Sequence, residues 1–108
     1  MIPRLDVTQA DIEESRARRL EPRGFDGARY HSERDCPLGI ALARQFVQPR
    51  EAVRAHPDFL RIGLLFDHAG NFVNHERAFR ATQTIRDFMR AWDRHGRAQP
   101  KRFALLPY

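Results

Sequence analysis

Apolar and polar residues alternate near both ends of the chain, a pattern typical of β-strands with one buried face. In the first seven residues, Leu5 and Val7 share one face, and the proline before them suits an edge strand. In the last ten residues, Phe103 and Leu105 share a face in the same way. We therefore predict a strand at each end, and each strand contributes a row of side chains to the core.

A β-hairpin is predicted in the second half of the chain. Its first strand, residues 59–66, has an apolar residue at every second position: Leu60, Ile62, Leu64 and Phe66. Its second strand spans residues 72–79, and Gly70 or Asn71 between the strands can adopt the positive φ that a tight turn needs. Residues 48–58 contain two prolines and predict at most a short turn.

Two segments in the first half of the chain carry helix signals. The first follows Thr8, whose hydroxyl can cap the amide of Asp11, and continues through good helix formers. The second starts at Pro37, where a missing N–H costs nothing, and almost all of its residues are apolar. We expect this second helix to be buried on most sides. The irregular stretch between the two helices, Glu21 to Asp35, predicts a long loop.

A third helix is predicted between Thr82 or Thr84 and Gly96, which can adopt the left-handed conformation of a helix end. Its apolar stripe consists of Ile85, Phe88, Met89 and Trp92. The opposite side carries arginines three or four residues apart: Arg86, Arg90, Arg94 and Arg97. This arginine row is either a solvated face, partly neutralised by Asp87 and Asp93, or the binding site for an anionic partner.

The order of the predicted elements is strand, helix, helix, strand, strand, helix, strand. This order is typical of an α+β fold in which helices pack on a mostly antiparallel sheet. The 108 residues are close to the usual size of one domain, and no linker or repeat divides them. We therefore predict a single globular domain over residues 1–108.

The chain is basic, with 19 Lys and Arg residues against 14 Asp and Glu residues and a net charge of +5. All of the cations except Lys101 are arginines, which bind phosphate and carboxylate groups in bidentate fashion. Codon usage in a genome rich in G and C produces the same bias, so the bias alone does not prove an anionic partner. No stretch suits a membrane span or a signal peptide, so we expect a cytoplasmic protein without membrane contact.

Cys36, the single cysteine, would lie in the first turn of the second helix, where the helix dipole favours a thiolate. A nucleophilic cysteine also needs a base, and the pattern places none of the five histidines beside it, so we expect a buried structural residue. Asp67, His68 and His75 do not have a metal-ligand spacing, and we expect them to be polar surface residues. No enzymatic activity, metal or other cofactor is predicted.

Several motifs along the chain resemble those of small proteins from proteobacterial phages and prophages. The matching residues form four groups: Thr8, Asp11 and Ile12; Cys36, Pro37, Leu38, Ile40, Ala41 and Leu42; Phe88, Trp92, Asp93 and Gly96; Pro100 and Phe103. The chain departs from the pattern at Gly39, Trp92 and Lys101, where alanine and two phenylalanines are usual. Most matching positions are caps and core residues, so the resemblance implies a shared fold rather than an active site.

The resemblance also implies an accessory protein of a mobile element, for which binding and inhibition of a host component are common tasks. We therefore expect a non-enzymatic protein that binds a host or defence protein complex in the cytoplasm of a bacterial host cell, in the manner of anti-CRISPR proteins. Such a complex can itself contain nucleic acid. The alternative is a small basic nucleic-acid-binding protein that uses the arginine row. The predicted partner-binding residues are the same in both cases: Arg86, Arg90, Arg94 and Arg97.

Overall fold

Helices and short antiparallel strands make up the computed structural model, which describes residues 3–19 and 34–108. In chain order the elements are β1 (Arg4–Val7), α1 (Gln9–Arg19), α2 (Pro37–Gln45), a 3-10 turn (Arg50–Ala52), β2 (Val53–His56), β3 (Phe59–Ile62), β4 (Leu65–Phe66), β5 (Phe72–Asn74), β6 (Arg77–Arg80), α3 (Gln83–His95) and β7 (Lys101–Ala104). The α+β prediction is confirmed. Most of the predicted loop from Glu21 to Asp35 lies outside the described residues. No helix within the two described ranges is long and apolar enough to cross a membrane.

The strands form three antiparallel sheets. β1 pairs with β7, β3 pairs with both β2 and β6, and β4 pairs with β5. The segment after β7, residues 105–108, runs beside β6. There the N–H of Arg80 donates to the carbonyl of Leu106 at 2.8 Å, and Phe79 forms a β-bridge with Pro107. This closing segment therefore connects the β1–β7 sheet with the side of β6 that lies opposite β3.

Helix α2 lies at the centre of the core, in contact with α1, β1 and β2. Its residues from Pro37 to Leu42 are all buried, as its apolar composition predicted. Alternate residues of the strands supply the surrounding side chains: Leu5, Val7, Val53, Ala55, Leu60, Ile62, Phe79 and Phe103. The remaining residues of β1 and β7 are exposed, so the strand faces predicted at the two chain ends are confirmed.

An ion pair between an exposed arginine and a buried carboxylate ties the C-terminal end of α2 to α1. Arg44 donates from Nε to Asp11 Oδ1 and from Nη2 to Asp11 Oδ2, both at 3.0 Å. Asp11 is only 2% exposed, and it also accepts the N–H of Thr8 while its own N–H donates to the Thr8 hydroxyl. Burial alone would raise the pKa of Asp11, but the hydrogen bonds from Arg44 and Thr8 hold that pKa below its usual value. The predicted Thr8 cap is therefore also part of an anchor for α2.

Side chains at the end of α2 also occupy the outer edge of β1. The Gln45 carboxamide accepts the N–H of Asp6 at 2.9 Å and donates to the carbonyl of Arg4, as a neighbouring strand would. Arg44 donates to the carbonyl of Asp6 at 2.6 Å. These bonds satisfy backbone groups that an edge strand otherwise leaves available for pairing with another chain.

A second buried carboxylate secures the N-terminal end of α2. Asp35 accepts from Arg18 Nη1 at 2.9 Å and from Arg50 Nη2 at 2.6 Å. Its backbone carbonyl accepts the hydroxyl of Ser15 at 2.6 Å. Asp35 therefore joins α1 and the 3-10 turn to the start of α2.

The prediction of at most a short turn over residues 48–58 is wrong, because β2 lies within that stretch. Val53 and Ala55 are buried, and the strand contacts α2 on one side and pairs with β3 along its edge. Pro49 precedes β2, and Pro57 lies in the turn to β3. The two prolines therefore mark the limits of a strand that has none inside it.

The prediction of one continuous strand over residues 59–66 is also wrong. Gly63 has φ +77°, so the chain turns there and β3 ends at Ile62. Leu60 and Ile62 lie in the core, whereas β4 begins a separate pair of strands. The partner strand predicted over residues 72–79 is divided in the same region into β5 and β6.

Helix α3 has the predicted ends and the predicted buried stripe. The hydroxyl of Thr82 accepts the N–H of Ile85 at 3.4 Å, and Gly96 closes the helix with φ +62°. Ile85, Met89 and Trp92 are buried. Phe88 is half-buried and meets the ring of Phe103 edge to face at 5.3 Å.

We expect Trp92→Ala to lower the free energy of unfolding by about 3–5 kcal/mol, because the change leaves a large cavity beside the other core residues. Such a loss is a large part of the total stability of a small domain. Denaturant unfolding followed by circular dichroism measures it, and Tyr108→Ala, which alters an exposed aromatic side chain, is the control. A loss for Trp92→Ala as small as that of the control would contradict the burial of the indole.

The Asp11–Arg44 ion pair predicts a pH-dependent contribution to stability. Because the folded-state pKa of Asp11 is lowered, its contribution is complete above the usual carboxyl pKa and is lost as the pH falls through the folded value. We expect Asp11→Asn to cost about 2 kcal/mol at pH 7, since hydrogen bonds to the charged carboxylate weaken. The difference from the wild type should shrink below pH ~4. Asp87→Asn, on the exposed side of α3, is the control, and a difference that stays constant down to pH ~2 would contradict the assignment.

Candidate functional site

The predicted arginine row lies on α3 only as far as Arg94. Arg97 follows Gly96, beyond the end of α3 at His95, so its predicted place on the helix face is wrong. Three members of the row are exposed: Arg90, Arg94 and Arg97. Arg86 is half-buried and donates to Gln83 Oε1 at 3.1 Å. Across the described residues, no salt bridge involves any of the four arginines, so direct contact with a carboxylate does not neutralise them.

The surroundings of the arginine row do not form a shaped site. Arg94, His95 and Arg97 line an open depression at the C-terminal end of α3. Asp87 is exposed and accepts from Gln83 Nε2 at 2.8 Å, so a negative charge lies beside the row. The row therefore supplies diffuse positive charge without an arrangement that selects one ligand.

A second cationic surface, which the sequence analysis missed, covers the outer face of the β2–β3–β6 sheet. The antiparallel register places Arg54 opposite Arg61, and it places Phe59 between His56 and Arg80. We call this surface the basic sheet face and define it by six residues: Arg54, His56, Phe59, Arg61, Ala78 and Arg80. None of the six is acidic, and all of them are at least partly exposed.

Stacked side chains hold the centre of the basic sheet face in place. The guanidinium carbon of Arg61 lies 3.9 Å from the centre of the Phe59 ring. The His56 ring is stacked on Phe59 with its centre at 4.6 Å and an interplanar angle of 11°. Stacking uses the flat surface of a guanidinium and leaves the N–H donors at its edge available. Arg61 makes no hydrogen bond to any residue in the described ranges, so its donors remain available to an anionic ligand.

A signal for the basic sheet face is present in the sequence. Arg54 and His56 are two residues apart, as are Phe59 and Arg61, so each pair falls on one face of a strand. The prediction of a turn over residues 48–58 assigns Arg54 and His56 to no strand face. The strand pairing is what brings the two pairs together.

Four large apolar side chains are exposed on the β4–β5 hairpin. Leu65, Phe66, Phe72 and Val73 are between 44% and 62% exposed. The rings of Phe66 and Phe72 meet edge to face at 6.4 Å. The antiparallel pairing of β4 with β5 confirms the predicted hairpin. The alternation that puts Phe66 on one face with Leu60 and Ile62 is wrong, because Phe66 is exposed whereas the other two are buried. A group of exposed apolar side chains is typical of a surface that binds another molecule.

The turn of the hairpin is held by its own side-chain and backbone bonds. Asp67 accepts the N–H groups of Ala69 and Asn71, both at 2.9 Å, and the bond from Asn71 lowers the pKa of Asp67. Gly70 adopts φ +83°, as predicted for a tight turn. Asp67 and His68 are exposed polar residues, also as predicted.

The base of the hairpin is held by His75, which is buried, so the prediction of a polar surface residue is wrong there. His75 Nδ1 lies 2.8 Å from the carbonyl oxygen of Gly63, and its ring meets the ring of Phe72 edge to face at 5.2 Å. Burial lowers the pKa of His75, and the positive charge of Arg61 lowers it further. The imidazole is therefore neutral at pH 7 and connects β5 to the end of β3.

Cys36 is the N-cap residue of α2 and is buried, as predicted. Its Sγ accepts the N–H of Gly39 at 3.4 Å. Burial raises the pKa of the thiol to about 11, despite that hydrogen bond. The group is therefore protonated at pH 7, which does not suit a nucleophile. Residues 3–19 and 34–108 contain no group of three His, Cys, Asp or Glu side chains that could hold a metal ion.

Searches with protein-family models, among curated proteins and among solved structures found no match for this chain. The functional interpretation therefore depends on the three surfaces described above: the arginine row, the basic sheet face and the exposed hairpin. The resemblance to phage and prophage proteins stays a prediction.

The close packing at the base of the hairpin predicts that Gly63→Ala destabilises the protein more than Gly70→Ala. Both glycines have positive φ, so both changes strain the backbone by about 1 kcal/mol. A Cβ on Gly63 would also lie 2.7 Å from the Glu76 Cβ, whereas one on Gly70 would have nothing within 4 Å. Thermal unfolding measures both losses. Equal losses would contradict the contact between Gly63 and Glu76.

Proposed function

We propose that the protein is a non-enzymatic binding protein that docks its β4–β5 hairpin on an acidic partner protein. The observation that carries this proposal is the exposure of four large apolar side chains on one hairpin: Leu65, Phe66, Phe72 and Val73. Aromatic side chains that enter a partner's pocket frequently dominate the binding energy of protein interfaces. Phe66 and Phe72 are the anchors in this proposal.

The net charge of +5 supports a partner with a negatively charged surface. In this proposal the arginine row attracts that surface over a distance and speeds the encounter, while the hairpin supplies the lasting contact. The absence of salt bridges at Arg90, Arg94 and Arg97 within the described part of the chain supports such a steering role.

The resemblance to phage and prophage proteins supports a host or defence complex as the partner, in the manner of anti-CRISPR proteins. The protein would inhibit that complex by covering a surface that the complex needs. Inhibitors that imitate nucleic acid use acidic surfaces, and a chain with a net charge of +5 does not suit that mechanism.

Capture of partner proteins from nuclease-treated bacterial lysate tests this proposal. We expect Phe66→Ser/Phe72→Ser to lose a partner that the wild-type protein retains, because both rings lie outside the core. Val47→Ser is the matched control, since Val47 is 88% exposed and lies outside the hairpin. Circular dichroism of each variant verifies that it is folded.

Two results would contradict the proposal. Equal capture by the hairpin variant and the Val47 control would show that the hairpin is not the contact surface. A partner that is lost from the wild type after nuclease treatment would show that nucleic acid forms the bridge. With a purified partner, Arg90→Glu/Arg94→Glu should slow association about tenfold at low salt and leave dissociation nearly unchanged.

A further inference from the structure

We infer that the basic sheet face binds single-stranded nucleic acid, at a site distinct from the hairpin and from the arginine row. The inference starts from charge. Arg54, Arg61 and Arg80 lie on three neighbouring strands, and adjacent strands are about 4.8 Å apart, so the charges extend across about 10 Å. Separated cations on a flat surface suit a chain of phosphates better than one small anion.

Arg61 is the best-placed phosphate ligand on this face. Its guanidinium carbon lies 3.9 Å from the centre of the Phe59 ring, and this contact restricts the motion of the side chain before any ligand binds. A guanidinium that is already fixed loses less conformational freedom on binding, and its edge can donate two parallel hydrogen bonds to a phosphate. Arg80 lies opposite Phe59 in the β3–β6 register, is exposed and can contact a neighbouring phosphate.

Aromatic side chains on the same face supply surfaces for bases. The N–H of Tyr108 donates to the carbonyl of Ala78 at 3.3 Å, and the Phe79–Pro107 bridge sets the register in which Tyr108 lies opposite Ala78. Tyr108 is therefore on the same side of the sheet as Arg61, and it is 68% exposed. Bases stack on exposed aromatic rings and on guanidinium planes, and this contact does not depend on sequence.

The shape of the face favours a single strand over a duplex. Duplex readout uses a helix or ribbon that enters a groove, whereas an antiparallel sheet that carries aromatic and basic side chains binds unpaired bases laid across it. The six residues of the face carry no carboxylate, and Asp58 lies only at its margin, 3.6 Å from His56 Nδ1. Arg61 and Arg80, which form no ion pair within the described part of the chain, therefore present positive charge to the ligand.

Fluorescence anisotropy with labelled oligothymidylate and oligouridylate of about 12 nucleotides tests the inference, with a mixed-sequence duplex of equal length alongside. We expect Arg61→Glu/Arg80→Glu to weaken binding of both single strands at least tenfold. The slope of log affinity against log salt should fall by about 1.4, since each lost contact contributes about 0.7 on single strands. Arg80→Glu alone changes an exposed side chain and should show the same trend if the double variant folds poorly.

The matched control is Arg90→Glu/Arg94→Glu, which changes the net charge by the same amount on α3. It should weaken binding by less than about threefold, as expected for screened charges away from the site. Phe66→Ser/Phe72→Ser should leave oligonucleotide binding unchanged, so that failure of this inference and failure of the proposed protein contact are distinguishable.

Three results would overturn the inference. The first is no measurable binding of either oligonucleotide by the wild-type protein at low salt. The second is binding of the duplex as tight as that of the single strands, which would remove the role of stacking. The third is an equal loss of oligonucleotide affinity in Arg61→Glu/Arg80→Glu and in Arg90→Glu/Arg94→Glu. That result would attribute binding to total charge or to the arginine row.

Discussion

Two buried aspartates fix the position of α2, and the rest of the structure depends on that position. Asp35 joins the start of the helix to Arg18 and Arg50, and Asp11 on α1 binds Arg44 at the end of the helix. A buried carboxylate without a partner is strongly destabilising, so arrangements of α1, α2 and β2 that separate these groups are disfavoured. With α2 held in this way, its apolar surface covers the inner side of β2. The outer side of the β2–β3–β6 sheet is then left to carry basic and aromatic residues.

The arginines fall into groups that composition alone does not separate. Arg18, Arg44 and Arg50 hold the core elements together through carboxylates. Arg54 and Arg61 of the basic sheet face lie beside the Phe59 ring. The arginines of the arginine row, on α3 and just after it, form no salt bridge in the described part of the chain. Codon usage can account for how many arginines there are, but it does not account for a sheet face that carries three of them and no acid.

The helices were predictable because their signals are local. The residues that start or end the helices lie where the sequence predicts them: Thr8, Pro37, Thr82 and Gly96. The apolar composition of α2 likewise predicts its burial. The strand limits were less predictable, because the apolar alternation continues past Gly63 although the backbone turns there. The arginine row was predictable because its members are three or four residues apart along one segment. The basic sheet face was not, because it depends on the register between strands, and residue spacing within one strand does not specify that register.

In our proposal, the fixed position of α2 makes one side of the β2–β3–β6 sheet a preformed ligand surface. Amide chemical-shift mapping by NMR, during titration of a labelled protein with oligothymidylate, tests this proposal. We expect the shifted amides to belong to β2, β3, β6 and the closing segment, while the amides of α2 and of the hairpin tip keep their positions. Shifts confined to α3, or a general change that includes the α2 amides, would contradict it.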